Sequence, residues 1–254
     1  MRRLALFAIS LIIPLGARAQ TPAPAAPKEP PPLWDTQVGA SFVDTSGNSD
    51  TTTLGADFAL HRRWPVWMIE SSANAVRTTA SDVKTAERYL GTVRAQRKLT
   101  DIVSLSVGER AERDQFAGID FRSILDAGLG WALVRQQSWT LDGVSALAWN
   151  HESPIVGPDR DDPVGLFQLS SRTPFGASAD STQRITVYPD FRDRSAYRAE
   201  AELAAEAAMN NRLALKIAYI WRFSNAPVDS FKKNDHLTTA SVVLRWKSDQ
   251  LAPM

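Results

Sequence analysis

The chain has 254 residues, a formal net charge of +1, 44% hydrophobic residues and no cysteine. The balanced charge argues against a nucleic-acid partner, which would require a basic face. The lack of cysteine excludes disulfides, thiolate metal sites and a cysteine nucleophile. The length is that of one domain.

The first 19 residues have the pattern of a secretory signal peptide. A basic start is followed by the apolar run Leu4–Gly16 and by the small-x-small cleavage site Ala17–Ala19. The apolar run is shorter than the roughly 20 residues that a membrane-spanning helix needs. Residues 20–33 are rich in proline and alanine. Because proline cannot donate to a sheet, we expect an extended periplasmic linker there.

From Trp34 to Trp246 the chain alternates apolar and polar residues, segment after segment. The pattern is plainest where Leu213, Leu215 and Ile217 interleave with Ala214 and Lys216. Repeated alternation over ten or more residues is typical of an outer-membrane β-barrel. We therefore predict an all-β fold, an antiparallel up-and-down transmembrane barrel of about twelve strands over residues 34–247. The predicted strands cover residues 34–45, 50–62, 66–78, 86–98, 102–114, 121–134, 138–151, 164–176, 181–189, 196–208, 212–224 and 235–247.

The connections alternate between short and mostly longer ones, and Glu152–Pro163 is predicted to be the longest. Bacterial barrels have short periplasmic turns and longer outer loops. With an even strand number, this pattern places the N-terminus in the periplasm. Because Pro174 interrupts strand eight, a ten-strand barrel with a longer loop remains an alternative.

Two segments give conflicting signals. Arg198–Ala208 is rich in helix formers, but its charged residues share one parity, which favours a strand. In strand five, Glu109 and Arg113 share the parity of the outward-facing apolar residues. Either a bulge shifts the register there, or the strand extends beyond the membrane.

Aromatic residues concentrate near the predicted strand ends. Trp34, Trp64, Trp67, Trp139 and Trp246 lie near the predicted periplasmic ends, and Trp149, Tyr197 and Trp221 lie nearer the outer ends. This distribution is expected of the two aromatic girdles that meet lipid headgroups.

Four loop motifs carry a family resemblance. They are Gly47–Thr52, Phe116–Asp120, Tyr188–Asp190 and Lys232–Thr239. With them, residues 35–247 resemble the YdiY-like family of salt-induced outer-membrane proteins, a domain of unknown function. The resemblance implies an outer-membrane location and a role in salt or osmotic stress, and it supplies no active-site residues.

The chain does not end on the aromatic residue that is usual for the family's kind of barrel. Residues 248–254 form a predicted tail, and Trp246 is the candidate signal for the barrel assembly machinery. The other expected partners are outer-membrane lipids and lipopolysaccharide. We expect a monomer.

Strand parity directs many charged residues of both signs into the lumen. The candidate lumen-lining residues are Asp35, Asp57, Glu70, Arg94, Asp126, Arg198, Glu200, Glu202, Lys216, Arg222 and Arg245. They could line a polar pore, or they could pair and close the lumen. A twelve-strand barrel lies between the filled eight-strand barrels and the open barrels of roughly sixteen strands, so both alternatives stay open.

Catalysis has weak support in the sequence. His151 and Ser153 lie at the predicted outer rim, where a lipid hydrolase would act, but parity gives His151 no orienting carboxylate, since Glu152 points the other way. There is no Gly-x-Ser-x-Gly elbow. Asp159–Asp162 could bridge a divalent cation to surface phosphates, although a solvated loop is favoured.

We therefore expect no enzymatic activity, no cofactor and no metal. The leading hypothesis is a structural or permeability barrel connected with salt stress. A narrow passive channel for small solutes or ions is the first alternative, and an outer-membrane lipid hydrolase is the second.

Overall fold

The computed structural model describes residues 33–45, 51–80 and 83–247. The predicted signal peptide, the linker up to residue 32 and the tail 248–254 lie outside the described residues, as does most of the Gly47–Thr52 motif. Within the described ranges, no helix is long and apolar enough to cross a membrane.

Twelve antiparallel strands form one closed barrel, and each strand pairs with its neighbours in the chain. The ring is completed by pairing between the first strand and the last. The strands are β1 Trp34–Thr45, β2 Thr51–Arg63, β3 Trp67–Ala80, β4 Val83–Lys98, β5 Val103–Asp114, β6 Ile119–Arg135, β7 Thr140–Pro154, β8 Arg160–Phe175, β9 Ala179–Tyr188, β10 Arg198–Ala208, β11 Leu213–Ser224 and β12 Asn234–Lys247. A short 3₁₀ helix, Gln115–Ala117, follows β5. The prediction of twelve strands is confirmed, and the ten-strand alternative is wrong.

The two ends of the barrel differ in their connections. We call one the short-loop end; its connections are residues 64–66, 99–102, 136–139, 176–178 and 209–212. The described connections of the other end, the long-loop end, are residues 115–118, 155–159, 189–197 and 225–233. The prediction of a long loop over Glu152–Pro163 is wrong, because β7 and β8 continue as a paired hairpin up to Glu152–Arg160. Asp161 and Asp162 therefore belong to β8.

Alternation separates the two faces of each strand as the sequence predicts. The outward face carries a band of exposed apolar side chains, such as Leu125, Leu147, Leu203, Leu215 and Ile217. Such a band is the surface that lipid tails cover. Arg198–Ala208 is a strand, because cross-strand pairing on both sides outweighs its helix propensity.

The aromatic residues lie close to the strand ends. Trp34 begins β1, Trp67 begins β3 and Trp246 lies one residue before the end of β12. Arg62 lies over the ring of Trp64 at 4.8 Å, and Arg97 lies over the ring of Trp67 at 5.9 Å. Cationic and aromatic groups thus meet at the short-loop end, where both can reach lipid headgroups.

The inward face is polar over most of the ring, but one sector is apolar. Ile124, Val144, Ala146, Ala148, Val164, Leu166 and Tyr188 form a buried cluster on β6 to β9. Elsewhere the inward positions carry the charged side chains described below.

In strand five, Glu109 and Arg113 both stay on the outward face, so the bulge does not reverse their direction. The β5–β6 register shifts between Glu112 and Asp114, where Asp120 and Phe121 of β6 lie opposite Arg113 alone, so the extra residue lies in β6. Glu109 precedes this shift and stays on the outward face, where Ser123 Oγ donates to Glu109 Oε1 over 3.2 Å. Arg113 is also outward and pairs with Asp120 at 3.0 Å.

The ladder between β1 and β12 is short. It runs from Asp35–Lys247 to Ala40–Val242. On its other side, β1 stays paired with β2 as far as Thr45–Thr51.

Candidate functional site

A group of charged side chains occupies the lumen near the long-loop end. Its members come from β4, β5, β6, β7, β10 and β11, and all lie on the inward face. They are Arg88, Arg110, Glu112, Asp114, Arg122, Glu152, Arg198, Glu200 and Arg222. We call this group the lumen network.

One part of the lumen network follows the wall. Arg122 lies between two glutamates of the adjacent strands and contacts Glu112 and Glu152 at 2.6 Å each. Arg198 donates to Asn150 Oδ1 over 2.9 Å and lies 3.6 Å from Glu152. Arg122 thus links adjacent strands, and Arg198 on β10 reaches β7, three places away in the ring.

The other part crosses the lumen. Arg110 Nη2 on β5 lies 2.7 Å from Glu200 Oε2 on β10. Arg222 Nη1 on β11 lies 2.6 Å from Asp114 Oδ2 on β5, and Arg88 on β4 lies 3.8 Å from Glu200. These strands are five or six places apart in the ring of twelve, so they lie on opposite sides. The ion pairs therefore bridge the two walls of the lumen.

Burial makes this pairing necessary. The side chains of Arg88 and Glu112 are each about 5% exposed, and that of Asp114 is 4% exposed. Charges removed from water to this degree are stable only with a partner and further hydrogen bonds. Arg110 provides the buried Glu112 with a partner of opposite charge at 3.0 Å, and it also contacts Glu200. The arrangement favours a fixed, paired state over independently solvated charges.

A second layer of charge lies deeper in the barrel. Arg94 donates to Asp126 through two hydrogen bonds of 2.8 and 2.7 Å and to Ser106 Oγ over 2.7 Å. Arg94 and Asp126 flank Gly108 in the strand register. A Cβ on Gly108 would lie 2.6 Å from Arg94 Nη2, so the pair lies directly over the glycine. The missing side chain lets two next-nearest strands share one bidentate ion pair.

Nearer the short-loop end the ion pairs stay along the wall. Glu202 pairs with Arg184 of the adjacent strand at 3.3 Å. Arg245 pairs with Glu206 two strands away. Among the described residues of this half, the ion pairs do not join opposite walls, so the cross-lumen pairs belong to the long-loop end.

The eleven candidate residues thus fall into four groups. Arg198, Glu200 and Arg222 belong to the lumen network, Arg94 and Asp126 form the deeper pair, and Glu202 and Arg245 pair along the wall. The remaining four lie at other inward positions of the wall. Asp35 and Glu70 lie opposite His61 in the register, Asp57 lies over Gly39, and Lys216 lies opposite Glu206.

The sequence prediction missed several members of the lumen network. Arg110, Glu112 and Arg88 were not among the candidates, although each has the parity of an inward residue. Extending the parity of Ser104 and Ser106 along β5 would have identified Arg110 and Glu112. No sequence signal indicates which residues pair across the lumen.

A cavity of about 120 Å³ lies on the long-loop side of the lumen network. Network residues such as Arg110, Glu200 and Arg222 form its floor. Val164 lies in its side wall, and the loop 225–233 contributes Val228. We call this cavity the chamber.

Two long loops are joined beside the chamber. Asn225 Nδ2 donates to the Ser195 carbonyl over 2.6 Å, and the Asn225 N–H donates to the Tyr197 carbonyl over 3.0 Å. In loop 189–197, the hydroxyl and the backbone N–H of Ser195 both donate to Asp193 Oδ1. These hydrogen bonds stabilise the charged form and lower the pKa of the Asp193 carboxyl.

The outward rim contains the histidine considered for lipid hydrolysis. His151 Nδ1 lies 3.0 Å from Asp161 Oδ1, and the Trp149 indole donates to the same oxygen over 3.3 Å. Parity did not assure His151 of an orienting carboxylate, but the structure supplies one, because Asp161 is in β8 rather than in a loop. Glu152 does point inward, towards Arg122. Ser153 makes no hydrogen bond to His151 in the part of the chain that the structure describes.

The other two histidines have ordinary polar partners or neighbours. His236 lies on the outward face, with Nδ1 2.6 Å from the Tyr219 hydroxyl. It therefore faces away from its neighbour Asp235, which borders the chamber. Among the described residues, no cluster of three or more His, Asp or Glu side chains could hold a metal ion.

Comparison with known proteins agrees with this fold. YdiY of Escherichia coli K12, described as an uncharacterized protein, is 23% identical over 225 residues, which cover 86% of this chain and 84% of YdiY. An outer membrane channel from Pseudomonas putida F1 is similar in structure, with a TM-score of 0.50, 13% identity, and coverage of 89% of this chain and all of that one. The NanC porin has a TM-score of 0.45 and 14% identity, with coverage of 85% of this chain and all of NanC.

Similarity at these identities concerns the fold, which is that of outer-membrane β-barrels. The family assignment depends on a separate match. Residues 38–246 fit the model of a family described as "Protein of unknown function, DUF481". That range contains the barrel from β1 to β12, so the chain belongs to the DUF481 family.

Proposed function

We propose that this protein is a structural or permeability barrel whose lumen is closed to solutes near the long-loop end, and that it is not an enzyme. The observation that supports this most directly is the set of ion pairs that join opposite walls, above all Arg110–Glu200 and Arg222–Asp114. Side chains of opposite charge that meet across a lumen occupy the space through which a solute would pass.

The energetic argument favours a closed resting state. Breaking a buried ion pair by removing one partner costs about 3–5 kcal/mol, because an unpaired charge is left behind. A solute entering from either end would have to separate several such pairs at once. It would also have to offer hydrogen bonds as good as the ones it displaces. Small uncharged solutes cannot do this.

Conductance measurements in planar lipid bilayers test the proposal. We expect purified, inserted protein to give no reproducible single-channel steps. Insertion is checked separately by the resistance of the barrel to protease in vesicles of the same lipid. Reproducible steps from inserted wild-type protein would overturn the closed-lumen proposal.

Such steps would favour a narrow passive channel, which is the second candidate. One observation supports it: in the half nearer the short-loop end, pairs such as Arg184–Glu202 stay along the wall and leave a polar lining. The similarity to an outer membrane channel concerns the fold and adds no evidence about conduction.

A lipid hydrolase is the third candidate, and the His151–Asp161 contact is the reason to test it. A hydrolase also needs a nucleophile that reaches the histidine, and Ser153 makes no hydrogen bond to His151 among the described residues. We expect no release of fatty acid from phospholipid vesicles. Release that disappears in His151→Ala would establish the enzyme instead.

Orientation and physiology complete the proposal. We infer that the short-loop end faces the periplasm, as short turns of bacterial barrels do, and that the barrel is a monomer in contact with lipopolysaccharide after insertion by the barrel assembly machinery. Protease cleavage in intact cells should then occur in connections of the long-loop end, such as loops 189–197 and 225–233, and not in those of the short-loop end. A role in salt stress predicts slower growth of a deletion strain at high osmolarity, and equal growth would contradict it.

A further inference from the structure

The loop 225–233, which we call the lid, spans the mouth of the barrel at the long-loop end. It connects β11 to β12, yet its tip reaches Gly118, which lies between β5 and β6 on the opposite side of the ring. A Cβ on Gly118 would lie 2.8 Å from the Phe231 ring and 2.9 Å from Val228 Cβ. Val228 is only 4% exposed. The lid therefore covers the mouth with apolar side chains.

Both ends of this contact are built for close approach. Gly118 has φ +78°, a conformation that side chains rarely adopt, and its lack of a Cβ makes room for the lid. At the base of the lid, the Ser224 N–H donates to the Lys233 carbonyl over 2.9 Å. Near its tip, the Phe231 N–H donates to the Val228 carbonyl over 3.0 Å. The lid is thus a defined turn and not an open loop.

The chamber lies between the lid and the lumen network. It is lined on one side by Pro227 and Val228 and on the other by Arg110, Glu200 and Arg222. The two closures therefore differ in chemistry as well as in position. One consists of ion pairs, and the other of apolar contacts.

From this arrangement we propose that the lumen is closed by two barriers in series, the lid and the cross-lumen ion pairs, with the chamber between them. Either barrier can open without creating a passage. The lid also strengthens the pairs beneath it, because excluding water lowers the local dielectric and increases the attraction between charges. This inference rests on the closed lumen proposed above and adds how it is closed.

The test uses one variant for each barrier and their combination. Val228→Asp displaces the lid by placing a charge in its apolar contact. Its matched control is Val156→Asp, at an exposed position in the neighbouring loop 155–159. Glu200→Ala with Asp114→Ala removes the cross-lumen pairs, and its control is Glu202→Ala, two residues along the same face of β10, which removes a wall pair only.

Two readouts separate the barriers. Because the chain has no cysteine, Val164→Cys introduces a single thiol that lines the chamber. We expect this thiol to resist a small maleimide in the otherwise unchanged protein and in both controls. It should become reactive in the lid variant and in the network variant. Bilayer conductance should appear only when the two changes are combined.

Each departure from this pattern has a defined meaning. Conductance in the lid variant or in the network variant alone would overturn the series arrangement, as would a silent combined variant or a thiol that stays protected when the lid is displaced. Conductance in the wild type would instead overturn the closed lumen itself. If migration on a gel shows that the network variant does not fold into a barrel, Arg110→Ala with Arg222→Ala replaces it. This second variant removes the arginine, instead of the carboxylate, from each of the two shortest cross-lumen pairs.

Discussion

Replacing Asp126 by alanine tests how much of the barrel's stability comes from ion pairs inside the lumen. Asp126 is 3% exposed and accepts two hydrogen bonds from Arg94. The substitution removes both bonds and leaves Arg94 with Ser106 as its remaining partner among the contacts described above. The guanidinium is then largely buried, with its side chain 16% exposed, and has lost its counter-charge.

The expected loss follows from this geometry. Hydrogen bonds to charged groups contribute about 1.5–3 kcal/mol each, and breaking a buried pair costs about 3–5 kcal/mol. The two bonds together give a decrease of about 3–6 kcal/mol in the free energy of unfolding, and the broken pair gives about 3–5 kcal/mol. The partial exposure of Arg94 favours the lower part of that range, since water can reach one side of the guanidinium.

Urea unfolding in phospholipid vesicles, followed by tryptophan fluorescence, measures this decrease. The control is Asp180→Ala, which removes the partner of Arg172, a side chain that is 63% exposed. Exposed pairs contribute about 0–1 kcal/mol, so the control should be near wild type. Equal losses in the two variants would refute the reasoning, because burial would then make no difference to the contribution of an ion pair to the free energy of unfolding.

Three further predictions use other parts of the barrel. Gly108→Ala should lower the free energy of unfolding by about 1–3 kcal/mol, since the added Cβ meets Arg94. The control Gly91→Ala, whose Cβ meets nothing within 4 Å, should change it by less than about 1 kcal/mol. Equal effects would contradict the close packing of the Arg94–Asp126 pair over Gly108. Ile217→Lys, in the lipid-facing band, should lower the free energy of unfolding in vesicles by about 2–4 kcal/mol, whereas Met209→Lys, in a short connection, should change it little. A larger loss for Met209→Lys would contradict the assignment of Ile217 to the outward face. On a denaturing gel, unboiled protein should migrate differently from boiled protein, and identical positions would count against a stable barrel.

Periodicity explains why the fold could be predicted from the sequence. A strand with one face in lipid and one in a polar lumen must alternate, and a slip of one residue would place charges in the membrane. Residues such as Leu215 and Lys216 therefore identify their own faces. The same rule predicts that Arg198–Ala208 is a strand, despite its helix propensity.

The ion pairs across the lumen could not be predicted in the same way. Arg110 and Glu200 are 90 residues apart, and Arg222 and Asp114 are 108 apart. Parity states only that each of them points inward. Whether they meet depends on the cross-section of the closed ring, which is a property of all twelve strands together.

The misplaced loop Glu152–Pro163 had a different cause. Proline and aspartate are depleted in strands, so Asp159–Asp162 and Pro163 were read as a loop. Polar residues are tolerated in the β7–β8 hairpin because Arg160, Asp161 and Asp162 are exposed or half-buried, while the buried Glu152 pairs with Arg122. Because Asp161 was assigned to a loop, its contact with His151 was not predicted.

The short ladder between β1 and β12 sets the order in which the molecule can be made. Every other neighbouring pair of strands is continuous in the chain, so hairpins can form as soon as both members enter the membrane. The pairs from Asp35–Lys247 to Ala40–Val242 need both ends of the sequence. Ring closure is therefore the last step of assembly, made through the smallest set of backbone hydrogen bonds. A strand supplied in trans would compete with β12 at this join before it could compete anywhere else.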